Sequence, residues 1–534
     1  MKILFVYPKY PSTYWSFSGV LHYIDKKAIF PPLGLLTIAS MVPEDWEKKL
    51  VDANVSALED DDIDWADMVF ISAMIVQKED AITIIERCKK ANKIVVAGGP
   101  IFTTMHEDFE QLGVDYFVLD EGEITLPLFL EDLANGNAKH IYHSSERPDI
   151  STTPVPLWSL INVNDYYGMV LQFSRGCPFN CEFCDIVIMN GRIPRTKSPS
   201  QVLTELQAIF DLGFRGFFFI VDDNFIGNKI KVKELLAELI IWQKERNYPF
   251  HFLTEASLNL AADEELMELM AKANFKSVFL GIETPSIESL KECGKLQNTK
   301  EDLIESVKKI QGHGMMVMGG FIVGFDSDTE SIFDAQIDFI QRTGITTAMV
   351  GMLGALPKTQ LWYRLEKEGR LFNVSTGENT NGSLNFLPKM GVDKLLAGYS
   401  KVLSTIYSPK YYYQRLSTLV EHYTPQINSK KRISKAEFKS FLRSMYLIGV
   451  KSSNRFRFWK LLIHTLIHKP EAITLAVEQI IYGEHFEKVT ESTVHAIKSN
   501  KYHYELHPAE KELQVGTNPP ELKYSLVKEV LNLR

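Results

Sequence analysis

Three of the five cysteines in this 534-residue chain fall in one short stretch, RGCPFNCEFCDI, as Cys177, Cys181 and Cys184. The spacing is C-x3-C-x2-C. Structural zinc takes four closed ligands, often as two C-x2-C knuckles, and the sequence has no second knuckle. Three thiolates on one loop can instead hold three irons of a [4Fe-4S] cube, leaving the fourth iron open to an exogenous ligand. An open position marks a reactive centre. With Cys88 and Cys293 the count is odd, which fits no disulfide framework and suits a reducing compartment.

Such a loop must be carried by regular elements. From residue 168 to 360, six apolar runs (169–174, 216–222, 250–257, 277–283, 315–324 and 347–357) alternate with amphipathic stretches. One of these, 198–213, repeats Val202, Leu203, Leu206, Ile209 and Phe210 at helical period. The beat predicts a partial (β/α)6 barrel of the TIM type, with its chemistry at the C-terminal rim of the strands. The cysteine loop follows the first strand. VDDN (Asp222, Asp223, Asn224), TEAS (Glu255) and GIET (Glu283) end the next three, so all four endings converge on one mouth.

C-x3-C-x-aromatic-C, with Phe183 as the aromatic, after the first strand of such a unit resembles the radical S-adenosylmethionine (SAM) enzymes. The resemblance implies that Cys177, Cys181 and Cys184 ligate the cluster, whose open iron binds SAM and cleaves it to a 5′-deoxyadenosyl radical. It places Phe183 near the adenine, and Asp222, Asp223 and Asn224 toward the SAM amino group. Glu255 and Glu283 would reach ribose or methionine atoms. A one-electron reductase of flavodoxin or ferredoxin type would feed the cluster.

Residues 1–135 read as a flavodoxin-like (Rossmann-like) parallel α/β sheet, from the runs KILFVYP, KKLVDANV, MVFISAM, KIVVAGGP and YFVLDEGE. Ligands of such sheets sit beyond the carboxyl ends of the strands. Those ends carry Ser72, then Gly98, Gly99 and Pro100 with Thr103 and Thr104, then Glu121, Gly122 and Glu123. Paired glycines either admit a bulky ligand or make a tight turn. No G-x-G-x-x-G follows the first strand, which weakens a dinucleotide reading. PPLGLLTIASMVP predicts a helix opened by prolines and packed along one face. Residues 136–167, polar and proline-bearing, read as a linker.

A flavodoxin-like domain, a linker and a radical SAM core together resemble the cobalamin-binding branch of that superfamily. The resemblance implies that Ser72, Gly98, Gly99, Pro100, Thr103, Glu121, Gly122 and Glu123 line a cobalamin site. The chain contains no D-x-H-x-x-G, so the cofactor would be held base-off. Arg192, Arg195 and Lys197 of GRIPRTK could hold a SAM carboxylate or a cobalamin phosphate, or lie on a solvated loop. The stretch from QFSRGCPFNCEFCDI to VDDNFIGN resembles especially the subgroup of hopanoid A-ring methylases, which carries a further C-terminal, DUF4070-like domain. The implied activity is methylation of an unactivated carbon in a hydrophobic, lipid-like or polycyclic substrate. Two alternatives stay open: a cobalamin-binding radical SAM enzyme performing ring formation, rearrangement or oxidation, and a non-catalytic Fe-S/cobalamin sensor.

Residues 361–534 read as mainly helical. The chain is 45% hydrophobic and 23% charged, with a formal net charge of −9 that gives no ground for nucleic-acid binding. Residues 430–469 invert that sign, with a single acid, Glu437, among eleven Lys and Arg. Their mixture with Phe, Trp, Leu and Ile suits an anionic bilayer surface, or a helical domain with a solvated basic face. His464 and His468 stand at i, i+4 without an evident third ligand. The stretch from Glu487 onward reads as polar and loosely structured. No apolar run reaches the roughly 18 residues of a spanning helix, and Pro8 and Pro11 interrupt the start. The expected location is cytoplasmic, with peripheral membrane contact as the open question.

Overall fold

The computed structural model describes residues 1–372, 375–425 and 435–499. Its first sheet contains β1 (Lys2–Tyr7), β2 (Glu47–Asp52), β3 (Met68–Ser72), β4 (Ile94–Gly98), β5 (Tyr116–Val118) and β6 (Ile141–Tyr142). All neighbours are parallel, in the order 2-1-3-4-5-6. Ile3, Leu4, Phe5 and Val6 are buried in succession, as expected of a strand covered by helices on both faces. The order reverses between β1 and β3, which opens a crevice at their carboxyl ends, Tyr7 and Ser72. All five expected strands form. The sixth lies within the segment read as linker, and its two residues are too short to produce a periodic signal. PPLGLLTIASMVP becomes the helix Leu33–Met41, which buries Leu35, Leu36 and Ala39.

The second sheet begins with β7 (Gly168–Leu171). A short antiparallel pair, β8 (Ser174–Arg175) with β9 (Arg195–Thr196), then brackets the cysteine loop. Next come β10 (Gly216–Ile220), β11 (Phe250–Ala256), β12 (Phe275–Glu283), β13 (Met316–Val323) and β14 (Ala348–Met352). The order 14-13-12-11-10-7 is parallel throughout and leaves β7 and β14 as edges. The barrel is therefore an open half-barrel built from the six expected strands. Phe218 of β10 packs with Phe250 and Phe252 under the helices. On the opposite face, Phe217 and Phe219 meet Phe30 of the first domain at ring-centroid distances of 5.7 and 5.5 Å.

The C-terminal region contains the helices Val392–Ile406, Pro409–His422, Lys435–Tyr446, Arg455–His468 and Ile473–Lys498. The last of these corrects the expectation of loose structure after Glu487, because the chain stays helical through Lys498. Its polar residues find partners at the far end of the chain: Thr490 Oγ1 meets the Tyr14 hydroxyl at 2.7 Å, and Phe486 packs on Tyr14 and Phe17. Lys430, Lys431 and Arg432, and the stretch after Ser499, lie outside the described residues. Among those described, no helix is long and apolar enough to cross a membrane.

The junction of the half-barrel with the helical domain depends on one missing Cβ. Gly398 lies against the Phe333 ring, into which a Cβ would collide. Replacing a helical Gly by Ala normally stabilises by about 1 kcal/mol. Here Gly398→Ala is expected to destabilise by about 1–3 kcal/mol through overpacking, read as a lower urea midpoint. A raised midpoint would show that this junction is loosely packed.

Candidate functional site

The cysteine loop is fixed at both ends by the backbone. Cys177 N–H donates to Gly191 O (3.2 Å) and Cys184 N–H to Cys181 O (3.1 Å). Gly176, at φ +100°, runs so close to the carbonyls of Asn190, Gly191 and Ile193 that a Cβ would stand 3.0 to 3.2 Å from them. The three thiols are free, half-buried and near enough to feel one another's charge. Burial pushes all three up, so they ionise only against a compensating positive centre. This donor set fits an iron cluster. Among the described residues, no three His, Cys, Asp or Glu converge on a single metal ion.

The residues that follow β10 hold this loop in place. Buried Asp222 accepts from Phe173 N–H (2.7 Å), Ser174 N–H (2.9 Å) and Ser174 Oγ (2.6 Å). Asp223 accepts from Gly176 N–H and Asn190 Nδ2. Asn224 Nδ2 lies 3.9 Å from Cys177 Sγ and 3.3 Å from Ser257 Oγ. All three were expected at the SAM amino group; Asp222 has both oxygens engaged within the protein. Glu255, by contrast, has no hydrogen-bond partner among the described residues and remains an unpaired carboxylate at the mouth.

Glu283, in the left-handed region at φ +66°, forms an ion pair with Lys295. A Cβ at Gly281 would stand 2.5 Å from Lys295 Nζ, so this glycine makes room for the ammonium. Burial opposes the charge of Lys295, but Glu283 and Cys181 outweigh it and raise its pKa. Nothing in the spacing of KECGKLQN marks Lys295, and sequence reasoning missed it. Phe183 packs over Phe325 (6.3 Å) and joins an apolar floor with Cys293, Ile322 and Leu353. A free carboxylate, an ammonium and an aromatic face beside the thiols fit the amino, carboxylate and adenine groups of SAM.

At the first sheet's rim, Gly99 takes φ +89°, and a Cβ there would overlap Ser72 Oγ. Gly98 lies against Val118 O, and Pro100 opens the helix Pro100–Met105. Thr103 Oγ1 accepts from Asp120 N–H (2.9 Å). The two glycines thus make the tight strand-to-helix turn, their Cβ space being filled by Ser72 Oγ and Val118 O. Gly122 is packed on Ile38. Glu121 and Glu123, expected to face that ligand, instead meet two arginines of the second domain. Arg175 donates to Glu121 (2.7 Å) and to both oxygens of Glu123 (2.8 and 3.0 Å), and Arg195 grips Glu121 at 2.8 and 3.0 Å. Of the other GRIPRTK cations, Lys197 pairs with buried Glu205 and Arg192 stays exposed.

The helical domain reaches the same loop. Arg364 forks onto both oxygens of Glu182 (2.5 and 3.1 Å) and onto Asp326 (2.7 Å). Glu182 O accepts from Leu361 N–H, and Glu182 N–H donates to Cys293 O. The residue between Cys181 and Phe183 is thus held at every polar atom.

Burial, aided by neighbouring carboxylates, pushes Asp222 and Glu255 each up to about 7. Their folded pKa values lie above the unfolded ones, so folding takes up protons and stability falls as pH rises from about 4 through about 7. Glu255→Gln removes one of these carboxyls. It is expected to flatten that fall by about 1–3 kcal/mol in urea titrations of the cluster-free protein; an unchanged slope would mean that Glu255 sits ionised in a solvated site.

Residues 25–130 match the B12 binding domain, 171–340 the radical SAM superfamily, and 359–499 a domain of unknown function, DUF4070. An uncharacterised methyltransferase of Synechocystis sp. is 43% identical over 489 residues, 91% of each chain. Hopanoid C-2 methylase of Rhodopseudomonas palustris is 34% identical over 478 residues, 87% of this chain and 89% of that one. Among solved structures, the cobalamin-dependent SAM radical enzyme OxsB with aqua-cobalamin bound shares the fold (TM-score 0.59, 15% identity, 93% of this chain and 80% of that one). With its domain order and its 34% identity to hopanoid C-2 methylase over 87% of its length, the chain belongs to the family of cobalamin-binding radical SAM methyltransferases that includes that enzyme.

Proposed function

We propose that this enzyme methylates an unactivated carbon of a hydrophobic, lipid-like or polycyclic substrate. One observation carries the reading: Arg175, two residues before Cys177, joins the rim of the first sheet to the cluster loop. A ligand at that rim would face the side of the sheet from which the cysteine loop is held. The 34% identity to hopanoid C-2 methylase, over 87% of this chain, favours a substrate of that chemical kind.

When bound, the cluster and SAM supply one-electron bond cleavage and cobalamin supplies the methyl group. The protein's own residues bind and orient. Cys177, Cys181 and Cys184 would each hold an iron, with the Asn224 amide beside the Cys177 sulfur. Glu255 would accept from the SAM amino group, Lys295 would face its carboxylate, and Phe183 would lie against the adenine. Asp222 and Asp223 hold the loop that presents these groups. Ser72, Gly98, Gly99, Pro100 and Thr103 would contact a cobalamin held base-off, consistent with the absent D-x-H-x-x-G histidine. A one-electron reductase of flavodoxin or ferredoxin type would supply electrons, and a lipid-like substrate would bring the enzyme to a membrane surface.

The test is anaerobic reconstitution with iron, sulfide, hydroxocobalamin and methyl-labelled SAM, followed by incubation with polycyclic isoprenoid lipids. A product gaining one labelled methyl is expected. Substrate consumed without label would overturn the reading in favour of ring formation, rearrangement or oxidation. Cys181→Ala is expected to lose both bound iron and 5′-deoxyadenosine production; retention of either would remove Cys181 from the ligand set.

A further inference from the structure

Resting on the lipid-like substrate read above, we propose that the corner formed by the helices Lys435–Tyr446 and Arg455–His468 docks the protein on an anionic bilayer surface. From 439 to 469 the sequence has no Asp or Glu, in a chain of net charge −9. Several of its cations are occupied within the protein: Lys439 and Arg443 pair with Asp25 (2.6 and 2.7 Å), and Lys469 donates to Glu421 O. These contacts fasten the helices to the body of the protein. Lys451, Arg455 and Lys460, among the described residues, have no carboxylate within ion-pair distance.

The apolar side chains around them point the wrong way for a core. In Arg455–His468, Phe458, Leu461, Leu462 and Thr465 are buried. The opposite face is not the polar one that a surface helix requires. Phe456 is 76% exposed, Ile467 68% and Ile463 51%, in one stripe with Lys460 at helical spacing. The turn before this helix adds Val450 at 58%, and the preceding helix ends on Tyr446 at 54%. Lys451 lies over the Tyr446 ring (4.7 Å) and Arg455 over the Phe456 ring (5.0 Å). Cations are thus held directly above the aromatic groups that would enter the headgroup layer. A helix of 14 residues with one apolar stripe rimmed by Lys and Arg lies in the interface rather than crossing it. The cations select lipids of negative charge.

The experiment is co-sedimentation of the full, cluster-loaded chain with phosphatidylcholine vesicles, with and without phosphatidylglycerol. Binding that needs the anionic lipid and weakens with salt is expected. The double variant R455Q/K460Q is expected to bind about thirtyfold more weakly, and F456S/I467S to lose binding while keeping the wild-type circular dichroism and cluster absorbance. Equal binding to both vesicle types, wild-type binding by these variants, or burial of the patch in a homodimer by sedimentation velocity would each overturn the proposal. 5′-Deoxyadenosine yield without lipid, expected unchanged in R455Q/K460Q, reads the radical chemistry separately. Failure of the wild-type chain to bind anionic vesicles, with that yield intact, overturns the docking surface alone.

Discussion

The buried meeting of Arg175 and Arg195 with Glu121 and Glu123 is the constraint on which the rest of the site depends. Two arginines and two carboxylates with little solvent access would be costly singly, since an unpaired charge there costs several kcal/mol. Together their fork geometries satisfy each other. Such a network contributes less to stability than to uniqueness, because sliding one sheet rim along the other would leave a charge bare. Arg175 is also a residue of β8, and the cysteine loop starts immediately after it. The geometry between the two domains and the geometry of the loop are therefore one structural fact.

The loop is held as firmly from its other side. Glu182 is gripped by Arg364, which in turn shares Asp326 with Arg370. Those two arginines hold the Asp326 carboxyl well below the usual range despite its burial. The helix Gln360–Lys367, which carries Arg364, thereby becomes a wall of the radical SAM site. The C-terminal domain also packs on the first through Tyr14, Phe17 and the helix Ile473–Lys498. It touches both domains while contributing none of the expected cofactor ligands.

What could be read from the sequence follows from the range of each signal. Most of the eleven strands expected in the two sheets were legible because burial writes an apolar run; β2 is the exception, since Glu47, Lys48 and Lys49 precede its buried Val51 and Asp52. The cysteines were legible because their spacing is itself the chemistry. Carboxylates at strand ends were legible only as carboxylates. Spacing cannot distinguish one left without a partner, as Glu255 is, from one that pins backbone, as Asp222 does, or one that meets an arginine of another domain, as Glu121 does. Lys295 left no trace because its partner Glu283 and its space beside Gly281 are set by the turn after β12. The helical end of the chain was misread for the same reason: the partners of Thr490 and Phe486 lie at Tyr14 and Phe17.

The unpaired Glu255 has an energetic meaning. A desolvated carboxylate without donors stays protonated or waits for a cation, and three half-buried thiols at the same mouth resist ionising. The site therefore opposes its own functional charge state, with Lys295 already committed to Glu283. A cationic cluster together with a ligand bearing an ammonium group relieves both costs at once. Binding free energy of that kind adds directly to the stability of the native state. It follows that the half-barrel reaches its full stability only when loaded, and that the arginine clamps on either side of the loop keep the site's shape until then.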